Sequence, residues 1–301
     1  MKISRQQLSR LSYLVTLAIL TISVSLRGEP IRISGSDFLA GPLDQVLISL
    51  AEERSEEIKV SWPGSYLVKQ ALQQQQIDMA LLALPEGPAS LMEEHTGWAE
   101  LPFAYRIALL VVNQENPLQS MTLKALRGIY GIEGADSLNH WDSFGLRGVW
   151  RSRMISAHIL DIPGAFTPAL FRRYCLEGVS LKKRVQSWQE TAALLKYVAN
   201  NPTAIAVLPA LPDLPEQPKI RVLAIVDTSK QLPFTPKPNN IYTGDYPLRL
   251  PFFILYNRER SATLKPYLKR LLADDVAERL ATHYFVPLPE MLRYDLTLQF
   301  F

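Results

Sequence analysis

From about residue 30 onward, short continuous apolar runs alternate with longer segments whose apolar positions recur every three or four residues. Ile31–Ser34, Ile58–Ser61, Met79–Leu84 and Ile107–Val112 are runs suited to buried strands. Leu43–Glu53 and Tyr66–Gln75 between them carry the helical period. A second set follows, with helices expected at Leu123–Tyr130, Pro168–Leu176 and Gln189–Val198 and strands at Met154–Ile159, Ala204–Leu208 and Ile220–Val226. This alternation predicts an α/β fold with mainly parallel strands. Gln73–Gln76 reads as a solvated helix end. Prolines crowd the stretch from Pro209 to Pro251, and proline removes backbone donors and fixes φ, so that stretch is expected to be loop and crossing chain. Phe252–Tyr256 reads as a strand, and Ala262–Leu272 and Val276–Tyr284 as helices.

The first residues differ from the rest. Lys2, Arg5 and Arg10 precede an uncharged stretch, Leu11–Leu26, and no acidic residue lies among them. A basic start before a short apolar core is the pattern of a secretory signal, and the stretch is shorter than the ~20 apolar residues that span a bilayer. Ser23-Val24-Ser25 supplies small residues for cleavage after Ser25, so residues 1–25 are expected to be a signal peptide, with an uncleaved anchor as the alternative. No cysteine stands nearby to carry a lipid. The three leader cations account for the whole formal charge of +3, so the remainder has no basic excess that would suit nucleic acid. Cys175 is the single cysteine, which excludes an intramolecular disulfide, and its helical spacing suits a buried small hydrophobe.

The residues give little support to an enzyme. His95, His140, His158 and His283 are scattered without metal-ligand spacing and read as surface or capping residues, and no nucleophile elbow or P-loop is present. No cofactor or metal is expected. Lys182-Lys183-Arg184 reads as a solvated helix end, and Trp141 and Trp188 as packing residues or stacking surfaces. Three segments carry the strand–turn–helix arrangement that aims helix N-termini, with their free N–H groups and positive dipole ends, at one place. They are Gly35-Ser36-Asp37-Phe38, Gly64-Ser65, and Gly164-Ala165-Phe166-Thr167-Pro168, where Thr167 is expected as N-cap and Pro168 as first helical residue. Plain helix capping is the alternative for each.

The order of several short matches adds a resemblance. Ile31-Arg32-Ile33-Ser34-Gly35-Ser36-Asp37, Pro63-Gly64-Ser65 with Val68-Lys69-Gln70-Ala71-Leu72, and Ile77-Asp78-Met79-Ala80 come first. Ala108–Asn113 with Asn116-Pro117-Leu118, Leu126-Arg127-Gly128-Ile129-Tyr130-Gly131, Trp141–Leu146 and Phe285–Pro289 follow. Together they resemble a phosphate-type periplasmic solute-binding protein, the receptor of an ABC importer, over residues 31–289. The resemblance implies a two-lobed type II periplasmic-binding-protein fold with a hinge and an interlobe cleft. Lobe 1 would hold residues 30–112 plus 245–301 and lobe 2 residues 113–244, with crossings near Val112–Pro117 and in the 227–250 region. It further implies a monomer in the periplasm, a small oxyanion with phosphate foremost as ligand, a membrane ABC importer as partner, and Ser36, Asp37, Gly64, Ser65 and Thr167 as ligand contacts. The chain departs from the family in the second lobe. Ala165-Phe166-Thr167 stands where an Arg-x-x-x-Ser-Gly-Thr segment is usual, leaving Arg151 and Arg153 upstream as the arginines available there. Asp78 reads as a strand-end or capping residue, and Asp37 either accepts a phosphate proton or turns away to cap a turn. A ligand-divergent interaction module on the same fold is the alternative function.

Overall fold

Two mixed sheets, each flanked by helices, form the molecule; the computed structural model describes residues 29–132, 138–212, 214, 217–226 and 231–299. The expected signal peptide lies outside the described residues. The first sheet holds six strands: β1 (Ile31–Gly35), β2 (Ile58–Ser61), β3 (Met79–Ala83), β4 (Trp98–Ile107), β13 (Arg249–Asn257) and β14 (Val286–Pro287), in the order β14-β4-β13-β3-β1-β2. β1 pairs in parallel with both β2 and β3, and β13 runs antiparallel to β3 and β4. Helix α1 (Ala40–Glu53) returns the chain from β1 and buries Leu43, Val46, Leu47 and Ala51, the residues of its 3.6-period stripe. α2 (Ser65–Gln73) buries Val68 and Leu72 on the other face, and α3 (Ala89–Glu94) precedes β4.

The second sheet has five strands, β5 (Leu109–Asn113), β7 (Ser156–Leu160), β8 (Gln186–Trp188), β9 (Ala204–Leu208) and β10 (Ile220–Val222), in the order β10-β5-β9-β7-β8. β5 and β9 are buried along their whole length, as strands covered on both faces are. β6 (Ser120–Thr122), β11 (Ala224–Val226) and β12 (Pro233–Phe234) make a small third sheet. Helices α4 (Leu123–Tyr130), α5 (Thr167–Tyr174), α6 (Thr191–Asn200) and α7 (Pro238–Thr243) belong to this half of the chain. Thr122 caps α4 by accepting from the Ala125 N–H at 3.1 Å.

The passage between the halves is abrupt. β4 ends in the first sheet at Ile107 and β5 begins in the second at Leu109, so the chain crosses at Ala108, upstream of the expected Val112–Pro117. The apolar run Ile107–Val112 conceals a change of sheet, and Val112 is a core residue of the second. Ala108 N–H donates to the Leu248 carbonyl at 3.0 Å, and the Tyr246 hydroxyl donates to the Ala108 carbonyl at 2.7 Å, which ties the outgoing and returning chain together. The ten-residue β4 was hidden in the sequence by Pro102 and Arg106. Pro102 is accommodated beside a bulge, where the register against β13 shifts between Phe252 and Phe253. After β13 come α8 (Ser261–Leu271) and α9 (Asp274–Thr282), with α9 packed on α1 and β14. A last helix, α10 (Glu290–Leu298), had no sequence counterpart.

Candidate ligand site between the lobes

Four of the five sequence-derived residues meet at the carboxyl ends of β1 and β3. Ser36 is buried, its N–H donates to the Leu81 carbonyl at 2.7 Å, and its hydroxyl donates to Asp37 Oδ1 at 3.2 Å. Asp37 is exposed and opens a short 3-10 turn, Asp37–Leu39. The neighbouring loop comes close because Gly64 has φ +96°, a region that side-chain-bearing residues rarely enter. A Cβ there would stand 3.7 Å from Asp37 Oδ1, and the Gly64 N–H donates to the Gly35 carbonyl at 3.4 Å. Ser65 begins α2, and its Oγ accepts from the Ala83 N–H at 3.0 Å. Trp62 packs against Gly35, where a Cβ would fall 2.3 Å from its ring.

The opposing lip belongs to the second lobe. Beyond the end of β7 the chain turns into α5, and Phe166, at φ 60°, is the residue before the helix. Thr167 is therefore the first helical residue rather than the expected N-cap, and Pro168 is the second. With Phe166 in the cap position no side chain caps this helix; Thr167 is fully buried and its Oγ1 has no hydrogen-bond partner. Arg151 and Arg153 do not approach this lip. They precede β7 at its other end, where Arg153 stacks on Trp150 at 4.6 Å.

The cation in the cleft is Arg106, near the end of β4. It is 2 % exposed, and its Nη1 donates across the lobes to the Ala165 carbonyl at 2.9 Å. Its guanidinium stacks on Phe285 at 4.2 Å and on Phe38 at 5.0 Å, and Phe38 meets Phe166 of the other lobe at 4.7 Å between ring centroids. Phe166, Phe38, Arg106 and Phe285 thus form one continuous stack through the seam. Burial pushes the Arg106 pKa down to about 10, against the opposing pull of the Asp37 charge, so the group stays protonated at neutral pH. Arg106 Nε is buried and has no partner. The one available signal was a cation inside the otherwise apolar run from Phe103 to Val112.

Other residues singled out in the sequence are structural. Asp78 lies at the far end of β3 and accepts from the Arg32 N–H at 2.8 Å and from Arg32 Nη2 at 3.1 Å, which agrees with a strand-end role. Lys182 is not solvated as expected: it donates to the Gly128 carbonyl, and Arg184 donates to the Leu138 carbonyl at 2.9 Å. Cys175 is fully buried, and burial pushes its thiol pKa far up. Trp141 is buried and donates to the Thr203 carbonyl at 3.2 Å.

His158, expected at the surface, is fully buried. The Trp188 indole, a donor only, gives its N–H to His158 Nδ1 at 3.0 Å, so His158 Nε2 carries the proton and donates to Ser156 Oγ at 2.8 Å. A histidine holding that proton cannot take one from the serine, so this pair is no nucleophile and base. Among the described residues no group of three His, Cys, Asp or Glu side chains is placed to hold a metal ion.

The sequence profile of the PBP superfamily domain matches residues 23–275, most of the chain. The chain belongs to the PBP superfamily. No curated protein matches it. Solved structures of this fold superpose on it along nearly their whole length. One, described as a "possible phosphate binding protein" from Planctomyces limnophilus, has TM-score 0.67 at 18 % identity, covering 91 % of this chain and 97 % of its own. An ABC-type phosphate transport receptor from Vibrio cholerae gives 0.57 at 17 %, covering 86 % and 100 %. PstS from Borrelia burgdorferi gives 0.68 at 13 %, covering 87 % and 100 %. At these identities the likeness establishes the fold alone, the two-lobed architecture of the PBP superfamily. No helix of the described residues is long and apolar enough to cross a membrane.

Proposed function

We propose that this PBP-superfamily chain is an exported receptor that holds a small oxyanion between its lobes and presents the closed form to a membrane importer of the ABC type. The observation that carries the reading is the pair of buried donors left without partners at the seam, Arg106 Nε and Thr167 Oγ1. Leaving such a group unsatisfied costs about 1–3 kcal/mol, more when it is charged, and an oxyanion lodged there would satisfy both. Arg106 supplies the charge-assisted bond that the second-lobe segment lacks. Ser36, Asp37, Gly64 and Ser65 form the facing wall, with the N-terminus of α2 behind them. Phosphate is the first ligand to test, because the resemblance and the names of the structural neighbours both point to it. Export follows from the leader, and a monomer is the expected form.

Differential affinity for the closed form is what would let a ligand drive closure. The test is thermal unfolding of the mature protein across a panel of phosphate, sulfate and organic oxyanions. A ligand at a hundredfold excess over its Kd raises stability by about 2.7 kcal/mol, and Arg106→Gln is expected to abolish that gain. No gain with any anion at millimolar concentration would refute the receptor reading. The interaction-module alternative would then lead, since the lobes already touch through Phe38 and Phe166.

A further inference from the structure

The walls of the seat narrow the ligand further. One cation, Arg106, is buried in the seam, and the charged side chain close enough to act on it is the carboxylate of Asp37 at the mouth. A single guanidinium balances at most one negative charge, and the nearby Asp37 carboxylate opposes any further one. A second charge on the ligand would be buried without a partner, which is expensive in a water-poor site. Beside the polar wall the lining is aromatic: the guanidinium lies over Phe38 and Phe285, and Phe166 of the other lobe packs on Phe38.

Two of these residues are held out of the ordinary backbone region. Phe166 has φ 60°, and Tyr284, which sets the position of Phe285, has φ 64°. Non-glycine residues in that region carry strain that the surroundings must support, and such strain gathers at functional sites. Here it accompanies the contact of Phe166 with Phe38 and of Phe285 with the Arg106 guanidinium. Because Phe38 and Phe166 belong to different lobes, hinge opening would separate them and leave two apolar faces flanking the cation.

The geometry points to a singly charged organic oxyanion, a sulfonate-, phosphonate- or carboxylate-type group carrying an apolar substituent, as the ligand class of this cleft, with Phe38 and Phe166 as the residues that select it. This rests on the receptor reading above and refines it. The charged head takes Arg106 Nε and Thr167 Oγ1, and the apolar substituent replaces the ring contact between the lobes on closure.

Sulfate, methanesulfonate and benzenesulfonate separate charge from apolar bulk while keeping one head-group chemistry. The experiment titrates each, and phosphate beside them, into the wild-type protein by calorimetry. Benzenesulfonate is expected to bind tightest, methanesulfonate more weakly, and sulfate at least about tenfold more weakly than benzenesulfonate. In Phe166→Gly, a residue suited to that φ, the advantage of benzenesulfonate over methanesulfonate should disappear while methanesulfonate still binds. Sulfate or phosphate binding as tightly as benzenesulfonate would overturn the organic-anion assignment and leave the receptor reading standing. If none of the four binds, the receptor reading itself fails and this assignment with it. The wild-type ranking decides the matter even if Phe166→Gly does not fold.

Discussion

His158 and Arg106 are both buried, and their surroundings differ in one respect. His158, inside the second lobe, has both ring nitrogens engaged, one by Trp188 and one by Ser156. Arg106, at the seam between the lobes, has Nη1 engaged by Ala165 while its Nε, like Thr167 Oγ1 nearby in the chain, has no partner. A closed network of this kind fixes a fold, because every polar group exchanged its water for a protein partner. An open one at the seam between lobes leaves donors that a ligand can take.

The largest effect should come from breaking the closed network. His158→Ala would strand the Trp188 indole and the Ser156 hydroxyl and leave a void, costing about 3–4 kcal/mol in urea unfolding at neutral pH. The seam counterpart, Arg106→Met, removes a half-satisfied buried charge and should stay within about 1 kcal/mol of wild type. Equal losses at both places would break the comparison.

Next is pH. Burial pushes the His158 pKa down to about 4. The unfolded chain, with a histidine near the usual ~6.5, therefore binds more protons than the native state between those values. The stabilisation from keeping His158 neutral is complete above pH 6.5 and falls away as pH drops, by about 3 kcal/mol at pH 4. Unfolding curves recorded from pH 7 to pH 4 on wild type and His158→Ala would show it as the difference between the two slopes. Parallel slopes would mean that His158 is not held neutral.

Much of the fold was legible because its signal is local. β3 and β9 are continuous apolar runs, β1 and β2 alternate apolar with polar residues, and α1 and α2 carry their buried stripes at helical spacing. What was missed depends on partners distant in sequence. β4 carries Pro102 and Arg106, which argue against a buried strand until the bulge in its pairing with β13 and the stack on Phe285 are known. Likewise, Arg106 reaches the second lobe only because the crossing lies at Ala108. The first-lobe half of the site was readable, since Ser36, Asp37, Gly64 and Ser65 sit in adjacent turns after parallel strands. The second-lobe half was readable only in Thr167, and its cation comes from the crossing strand rather than from the loop where one was sought.

Smaller effects sharpen the contrast within the cleft itself. Thr167→Val keeps shape and removes the orphan hydroxyl, so the ligand-free protein should be unchanged or up to about 1 kcal/mol more stable, while oxyanion binding weakens by about 1–3 kcal/mol. Ser65 behaves in the opposite sense, because its Oγ already accepts from Ala83 N–H. Ser65→Ala should cost the ligand-free protein about 1 kcal/mol. Calorimetric titration beside thermal unfolding measures both quantities. A destabilised Thr167→Val would mean that its hydroxyl has a partner after all.

The claim that the seam is a ligand seat is tested most directly by a co-crystal structure of the mature protein with benzenesulfonate. The expected result is an oxyanion head within hydrogen-bond distance of both Arg106 Nε and Thr167 Oγ1, touching both lobes, with its ring between Phe38 and Phe166. A structure from crystals saturated with the ligand in which Phe38 and Phe166 remain in contact, with no anion at Arg106, would contradict it.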